Sequence, residues 1–294
     1  MKNKKLQILS LSLVLSGFSL NAQGGFVLFG ESGEAPTAEE KFVRPLTGPY
    51  FHEDSFVTTD IRAWYVNHQL SNDTVGGGDV TVMALQARLA LTESLQLVAY
   101  KDGYTEFSGG LLDGSDGFND IGAGLKWAFL QDWENNFHMA AGVGYEFGWG
   151  DDEVLQDTDE LRLWLSANKG FGKLHLGGVV NYIYAVDDDE GRFNGNSDMV
   201  TVHLHADYYL TEWLSPVVEV NGYFAQDGRG PPFSGVDAGS LPGGDGEDTI
   251  TGALGFELRP LGPELGLRAA YETDLSSSTS LFGYRWTLSA VYEF

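Results

Sequence analysis

The chain has 294 residues, no cysteine and a formal net charge of -25 at pH 7. The missing thiols exclude disulfides and thiolate metal sites, and the negative charge excludes nucleic acid as a partner, because phosphate binding needs a basic surface. Thirty-nine glycines and an aromatic content of 13% predict a fold of strands and turns.

The N-terminus has the pattern of a secretory signal. Three lysines among the first five residues form a basic start, Leu9 to Leu20 form an apolar core, and Ala22 is a small residue before a cleavage site. The apolar run is shorter than the roughly 20 residues that a membrane-spanning helix needs. We therefore predict that residues 1–22 are a signal peptide. Its removal takes away three lysines and no acid, which leaves a mature charge of -28.

Residues 23–56 contain Gly, Pro and Glu but no sustained hydrophobic period. Two interpretations of this stretch are open: a periplasmic extension, or a plug that folds into the interior of the domain that follows. That domain is predicted to span residues 57–294.

Residues 57–294 contain long stretches in which apolar and polar residues alternate, which is the period of a strand with one apolar face. The clearest pair runs from Ile121 to Phe129 and from Phe137 to Phe147, on either side of a polar turn. The pattern predicts twelve strands, at residues 57–69, 78–91, 94–104, 118–130, 136–148, 159–169, 172–185, 197–210, 213–226, 247–259, 264–273 and 281–294.

The predicted connections alternate between tight turns and long loops. The tight turns include Thr92 to Glu93 and Thr211 to Glu212, whereas the long loops, such as 105–117 and 227–246, are rich in Asp, Gly and Ser. Short turns at one end, long loops at the other and an even strand number are typical of bacterial outer-membrane barrels. A secreted β-sandwich has no reason to sort its loops this way. We therefore predict an all-β fold: a twelve-stranded antiparallel transmembrane β-barrel in the outer membrane of a Gram-negative bacterium, with short periplasmic turns and long extracellular loops.

The last strand places aromatic residues on one face, and Phe294 ends the chain. A terminal aromatic strand of this kind resembles the signal by which the barrel-assembly machinery recognises its clients. The predicted partners are this machinery, the lipid and lipopolysaccharide of the outer membrane, and a small-molecule solute. We expect a monomer.

When the lipid-facing phase of the central hairpin is carried around the chain, nearly every charge within a strand falls on the inward face. A lipid-facing Arg or Lys near the midplane would cost roughly 2 to 4 kcal/mol. The predicted lumen-lining residues are Arg62, Arg88, Tyr100, Lys126, Glu146, Arg162, His203, His205, Glu219, Glu257, Arg268 and Arg285.

Two interpretations of this mixed-charge interior are open. In the first, the cations pair across strands with Glu146, Glu219, Glu257 and Glu272 and fill the barrel, because buried charges must be paired. In the second, they line a narrow aqueous passage that selects a solute. Twelve strands fall between the filled barrels of about 8 strands and the open porins of about 16.

No other pattern carries a specific chemistry. His203, His205 and Asp207 share a strand face and are of zinc-ligand type. Alternate residues stand roughly 7 Å apart, so they could share an ion only with help from a neighbour, and no such further ligand is identifiable. We therefore predict no metal and no cofactor. The acidic loops, around residues 151–159, 187–190 and 245–248, are interpreted as solvated and able to share divalent ions with lipopolysaccharide. No G-x-S-x-G elbow exists and the strand histidines face inward, so we predict no enzyme.

The block from Gly117 to Tyr184 carries three short patterns that repeat the strand and turn cues of a known family. The matching residues are Asn119, Asp120, Ile121, Gly122, Gly124, Leu125, Lys126 and Trp127, then Gly142, Gly144, Tyr145 and Glu146, then Ser166, Lys169, Phe171, Gly172, Leu174 and Leu176. This block resembles the outer-membrane barrels named for the meta-pathway of phenol degradation. The resemblance implies an outer-membrane transporter without catalytic residues.

The sequence thus predicts a porin-like channel for passive diffusion of a small solute, with aromatic or hydrophobic solutes among the candidates. The alternative is a non-transporting structural or adhesive barrel whose acidic loops interact with the surroundings.

Overall fold

The structure is a computed structural model that describes residues 25–32, 36–72, 76–110, 113–154, 159–186, 198–226, 248–276 and 282–294. The predicted signal, residues 1–22, lies outside the described residues, as do residues 187–190 and 245–247 of the acidic loops. Within the described ranges, no helix is long and apolar enough to cross a membrane.

One antiparallel sheet contains all the strands of the described residues. The sheet closes on itself, because β1 pairs with β14 on one side and with β2 on the other. The strands are β1 Asp60–Leu70, β2 Asp79–Ala90, β3 Leu95–Lys101, β4 Tyr104–Ser108, β5 Asp116–Phe118, β6 Ile121–Asp132, β7 Phe137–Phe147, β8 Glu160–Phe171, β9 Leu174–Ala185, β10 Met199–Tyr208, β11 Leu214–Ala225, β12 Thr249–Leu258, β13 Leu265–Asp274 and β14 Phe282–Glu293.

Fourteen strand segments make a wall of twelve strands, because two wall strands are interrupted. β3 and β4 both pair with β2, and Asp102 and Gly103 interrupt the strand between them. β5 and β6 are separated in the same way by Asn119 and Asp120. The break has a local cause: the Asp102 carboxylate accepts the backbone N–H of Leu85 at 3.1 Å, and Gly103 has a φ of 128°, which glycine adopts without strain. The closed twelve-stranded β-barrel is thus confirmed.

The predicted loop at 105–117 is too long. β4 and β5 continue the wall there as a hairpin in which Tyr104 pairs with Phe118, with ring centroids 5.2 Å apart. The sorting of the other connections is as predicted. At one end, β8 and β9 are joined by two residues, and at the other end β9 and β10 are separated by residues 186–198.

The outer face of the wall is apolar. Leu85 and Leu254 expose 61% and 68% of their surface, and the rows of exposed Leu, Val and Ile continue around the barrel. Exposed aromatic residues mark both ends: Trp127 and Trp213 lie near the short turns, and Tyr184 lies near the long loops. An apolar surface of this extent between two aromatic girdles fits a lipid bilayer and not water, so the barrel spans the outer membrane.

The barrel interior contains a part of the chain that is not a strand. Residues 42–56 are buried throughout, and we call them the interior segment. Lys41 lies just before the segment and pairs with Glu293 at 2.8 Å, at the short-turn end of the wall. Phe51 packs against Ile183 near the long-loop end. The chain then returns to the short-turn end, where β1 begins, so the segment is a loop that reaches through most of the barrel.

Candidate functional site

The twelve predicted lumen-lining residues all lie inside the barrel, and none exposes more than 5% of its surface. They do not form one cluster. Cations predominate on the half of the wall that runs from β1 to β8, and carboxylates predominate on the half from β10 to β13. The interior segment lies between the two halves and contacts both.

The two adjacent acids of the interior segment, Glu53 and Asp54, are surrounded by wall cations. The Glu53 carboxylate pairs with both Nη2 and Nε of Arg88, the latter at 3.4 Å. Lys126 Nζ lies 3.6 Å from an oxygen of each acid. Arg62 Nη2 lies 3.4 Å from Asp54 Oδ2. We call Arg62, Arg88 and Lys126 the basic sector.

The charges of this sector are linked to the segment. Burial on its own would raise the pKa of Glu53, but the charges of Arg88 and Lys126 outweigh this effect and lower the pKa to about 2. Glu53 is therefore ionised at neutral pH inside the barrel. A buried carboxylate of this kind is stable only while its cations stay in place.

The opposite wall presents carboxylates to the backbone of the same segment. Glu219 accepts the N–H groups of Leu46 and Thr47, each at 2.8 Å, and the Thr47 hydroxyl at 2.5 Å. Asp207 accepts the N–H of Val43 at 3.2 Å. We call Asp207 and Glu219 the acidic sector. The segment is buried but forms no strand, so its N–H groups need other hydrogen-bond acceptors. These carboxylates take the place of the carbonyl acceptors that a β-sheet would provide.

Histidines bridge the two acids of the acidic sector and contact the interior segment. His205 lies between the two acids, 2.7 Å from Glu219 and 3.1 Å from Asp207. His203 contacts neither acid and stacks on His52 of the segment, with ring centroids 5.2 Å apart. Among the residues that the structure describes, no group of three or more ligands could hold a metal ion. His203 and His205, which share a strand face, therefore contact different partners.

Arg162 holds the tip of the segment. Its guanidinium donates to the carbonyl oxygens of Tyr50 and Phe51, the second at 2.8 Å, and it stacks on Tyr100 at 4.8 Å and Trp164 at 4.7 Å. The carbonyls and π-faces together surround a buried cation.

Glycines on the inner face of β6 and β7 make room for these rings. A Cβ at Gly142 would lie 2.0 Å from the Trp164 ring, and one at Gly144 would lie 2.6 Å from the Tyr100 ring. The small residues that alternate with large ones along this hairpin therefore let the inner aromatic rings lie flat against the wall.

The last strands carry pairs within the wall. Arg285 Nη2 lies 2.6 Å from Glu272, across β13 and β14. Arg268 lies 4.0 Å from Glu257 and also donates to two carbonyls of the segment, those of Arg44 and Pro45, at 3.1 and 3.0 Å. The interpretation of cross-strand pairs is thus right for Arg285, whereas the basic sector pairs mainly with the segment.

Sequence reasoning missed three charged side chains of this site: Glu53, Asp54 and Lys101. Glu53 and Asp54 fall in a stretch without a period, and their adjacency in an otherwise unassigned segment was the only signal. Lys101 is buried and pairs with Glu146, although it follows the inward Tyr100. An irregularity in the register between Ala99 and Lys101 allows both side chains to face inward.

Comparisons with known proteins bear on the fold. No family model and no curated protein sequence matches the chain. The crystal structure of an outer membrane channel from Pseudomonas putida F1 is similar with a TM-score of 0.60 at 18% identity, covering 86% of this chain and all of that one. The KdgM porin, solved with disordered oligogalacturonate, is similar with a TM-score of 0.45 at 12% identity, covering 81% of this chain and 99% of that one. The first likeness shows that the fold is an outer-membrane β-barrel. The meta-pathway resemblance stays a prediction.

Proposed function

We propose that the protein is a porin-like channel of the outer membrane, that a small solute crosses it by passive diffusion, and that the interior segment (residues 42–56) closes it. The observation that carries the proposal is that the centre of the barrel is occupied by a chain segment and not by the side chains of the wall alone. A lumen wide enough for a polypeptide is wide enough for a small solute once the segment moves.

The polar part of the contacts between the segment and the wall supports movement. The acids of the segment lie on the basic sector and three of its N–H groups lie on the acidic sector, whereas two apolar clusters, around Leu46 and around Phe51, also pack against the wall. Water can replace the polar contacts, and the burial energy of the two apolar clusters sets the main cost of withdrawal. Withdrawal of the segment would leave a passage with cations on one side and carboxylates on the other.

Such a polar, transversely charged lining fits a polar or charged solute. It gives less support to the aromatic or hydrophobic solutes among the sequence-based candidates. The alternative function, a non-transporting structural or adhesive barrel, has no need of a removable segment, and its wall charges would be expected to pair within the wall. Among the described residues, Asp60 is the one wall acid within 4.0 Å of the basic-sector cations, near Arg62 and Arg88, and the other acids that pair with the basic sector are Glu53 and Asp54.

Planar-bilayer recording of the refolded protein tests this function. The full mature chain is compared with a variant that lacks residues 23–56, and heat-modifiable mobility on gels establishes that each has a folded barrel. We expect frequent, larger single-channel steps from the shortened variant and rare ones from the full chain. The absence of steps in either polarity from a folded, shortened variant would favour the structural or adhesive barrel.

Ion selectivity provides a second readout on the same variant. Arg88→Glu in the shortened barrel should shift the reversal potential in a salt gradient towards cation selectivity, because it inverts a charge of the exposed basic sector. Glu134→Lys, at an exposed short turn, is the control and should leave the potential nearly unchanged. Equal potentials for all variants would place Arg88 outside the ion path.

The remaining partners follow from the same proposal. We propose that the barrel is a monomer in contact with outer-membrane lipid and lipopolysaccharide, and that the assembly machinery recognises the strand ending at Phe294. The Phe294 side chain is 46% exposed, and its ring packs on Tyr292 with centroids 5.0 Å apart. Phe294→Ala should therefore slow assembly in cells and leave refolding in detergent unchanged.

A further inference from the structure

The contacts of Glu53 and Asp54 with the wall have the form of a bound ligand. Two carboxylates share one ammonium, since Lys126 Nζ lies 3.6 Å from an oxygen of each. Arg88 receives the Glu53 carboxylate through two nitrogens, the arrangement by which arginine recognises planar carboxylates. These four side chains and Arg62, the third cation of the sector, are each at least 95% buried. The basic sector is thus a built site for two neighbouring carboxylates.

The charges of the wall set the charge of the occupant. The basic sector contributes three cations, and Asp60 contributes one carboxylate, 2.8 Å from Arg62 Nε and 4.0 Å from Arg88 Nη1. The wall therefore carries a formal +2 at this place, and the two acids of the segment supply the matching two negative charges. Arg44 of the segment also contacts Asp54 at 3.3 Å, but it is shared at the same distance with Glu293.

We infer that the basic sector is the binding site of the channel for a small dicarboxylate solute, and that Glu53 and Asp54 are its intramolecular competitor. This inference rests on the proposed function and names the class of solute. The two oxygens that share Lys126 are at most about 7 Å apart, because each lies 3.6 Å from the same nitrogen. This upper limit restricts the solute to a short dicarboxylate, of which succinate is a suitable probe.

The position of the site explains how a solute would open the passage. A dicarboxylate that replaces Glu53 and Asp54 removes the contacts of the segment with the basic half of the wall. The tethered acids act at an effective concentration on the order of millimolar. Free dicarboxylate therefore has to compete with that concentration in the native chain, and binds without competition when the two acids are absent.

The test is equilibrium binding of succinate to refolded protein in detergent, by titration calorimetry at constant ionic strength. Glu53→Ala/Asp54→Ala vacates the site, and Glu39→Ala/Glu40→Ala is the matched control, because this neighbouring acid pair lies outside the interior segment. We expect saturable binding to the first variant with an affinity at least tenfold above that of the native chain and of the control. Succinamide, the neutral analogue, should not bind.

A further change, Arg88→Ala in the vacated variant, should lower succinate affinity at least tenfold again. The inference is overturned if the vacated variant binds succinate no better than the control does, if succinamide binds equally well, or if Arg88→Ala has no effect. Should the vacated variant not refold, succinate is added to the native protein, and hydrogen exchange of the neighbouring Ser55 amide, which donates to Asn168 of the wall, should rise in proportion to its concentration. A constant rate would refute the inference.

Binding and conductance separate this inference from the proposed function. Calorimetry needs no ion flow, so succinate binding by a barrel that never conducts would support the binding site and refute the channel function. Conductance by the shortened variant without succinate binding would support the channel function and refute the binding site.

Discussion

Replacing Glu219 by alanine should release the middle of the interior segment. In the structure this carboxylate accepts two backbone N–H groups at 2.8 Å and one hydroxyl at 2.5 Å from Leu46 and Thr47. A hydrogen bond to a charged group contributes about 1.5–3 kcal/mol. Three such bonds give an upper limit of roughly 4.5–9 kcal/mol, and water that enters the cavity recovers part of this. We expect a loss of at least about 3 kcal/mol in the docking of the segment.

Since 1.4 kcal/mol corresponds to a factor of ten, this loss corresponds to an increase on the order of 100-fold in the withdrawn population. Hydrogen exchange of the Val43 and Ser55 amides measures this population, because their acceptors, Asp207 and Asn168, remain in the variant and release these amides only when the segment leaves the wall. The expected result for Glu219→Ala is exchange about 100-fold faster than in the native chain, with the strand amides of β6 and β7 unchanged.

Glu134→Ala, at an exposed position of a short turn, is the control and should leave both sets of amides unchanged. Retained heat-modifiable mobility on gels shows that the barrel itself is folded. The reasoning is refuted if the Val43 and Ser55 amides exchange at the native rate in a folded Glu219→Ala barrel, because the segment would then be held by other contacts.

Two more predictions concern acid and packing. Burial lowers the pKa of His52 to about 4, and the neighbouring cations lower the pKa of Glu53 to about 2. Because both values lie below the ordinary ones, docking of the segment is strongest at neutral pH and weakens as the pH falls. His52 contributes to this loss below about pH 6.5, and Glu53 contributes below about pH 4.5. Channel opening should rise on acidification from about pH 7 to 5, less so in His52→Asn, and a flat profile would contradict this. Gly142→Val should lower the free energy of unfolding in urea by about 1–3 kcal/mol through overpacking against Trp164, whereas Ala141→Val, on the lipid-facing side, should not.

The wall of the barrel could be predicted from the sequence because it depends on a local rule. Strands between lipid and a polar interior alternate strictly, so the period alone fixes which side chains face inward. The rule held in β6 as far as Ala128, where the register shifts, and from β7 through β14. It failed where the backbone leaves the regular ladder, at Asp102 and Gly103 and at the irregularity beside Lys101, because the side-chain phase shifts there without a change of composition.

The interior segment could not be placed from the sequence for a different physical reason. It has no period because it forms no ladder, and its partners are far away in the chain. Leu46 and Glu219 are 173 residues apart, and Arg268 and Arg44 are 224 apart. Each contact depends on the closed barrel, which brings those partners together, so no pattern within residues 23–56 encodes it.

Two separate charged sectors hold the interior segment, so one can release it while the other keeps it docked. Glu53 and Asp54 bind the segment to one half of the wall, and the N–H groups of residues 43–47 bind it to the other half. An anionic solute competes at the first place only, because the acidic sector repels it. Partial displacement would therefore clear the basic side of the lumen while Glu219 keeps the rest of the segment docked. This arrangement requires less energy than full withdrawal, and it lets the segment return when the solute leaves.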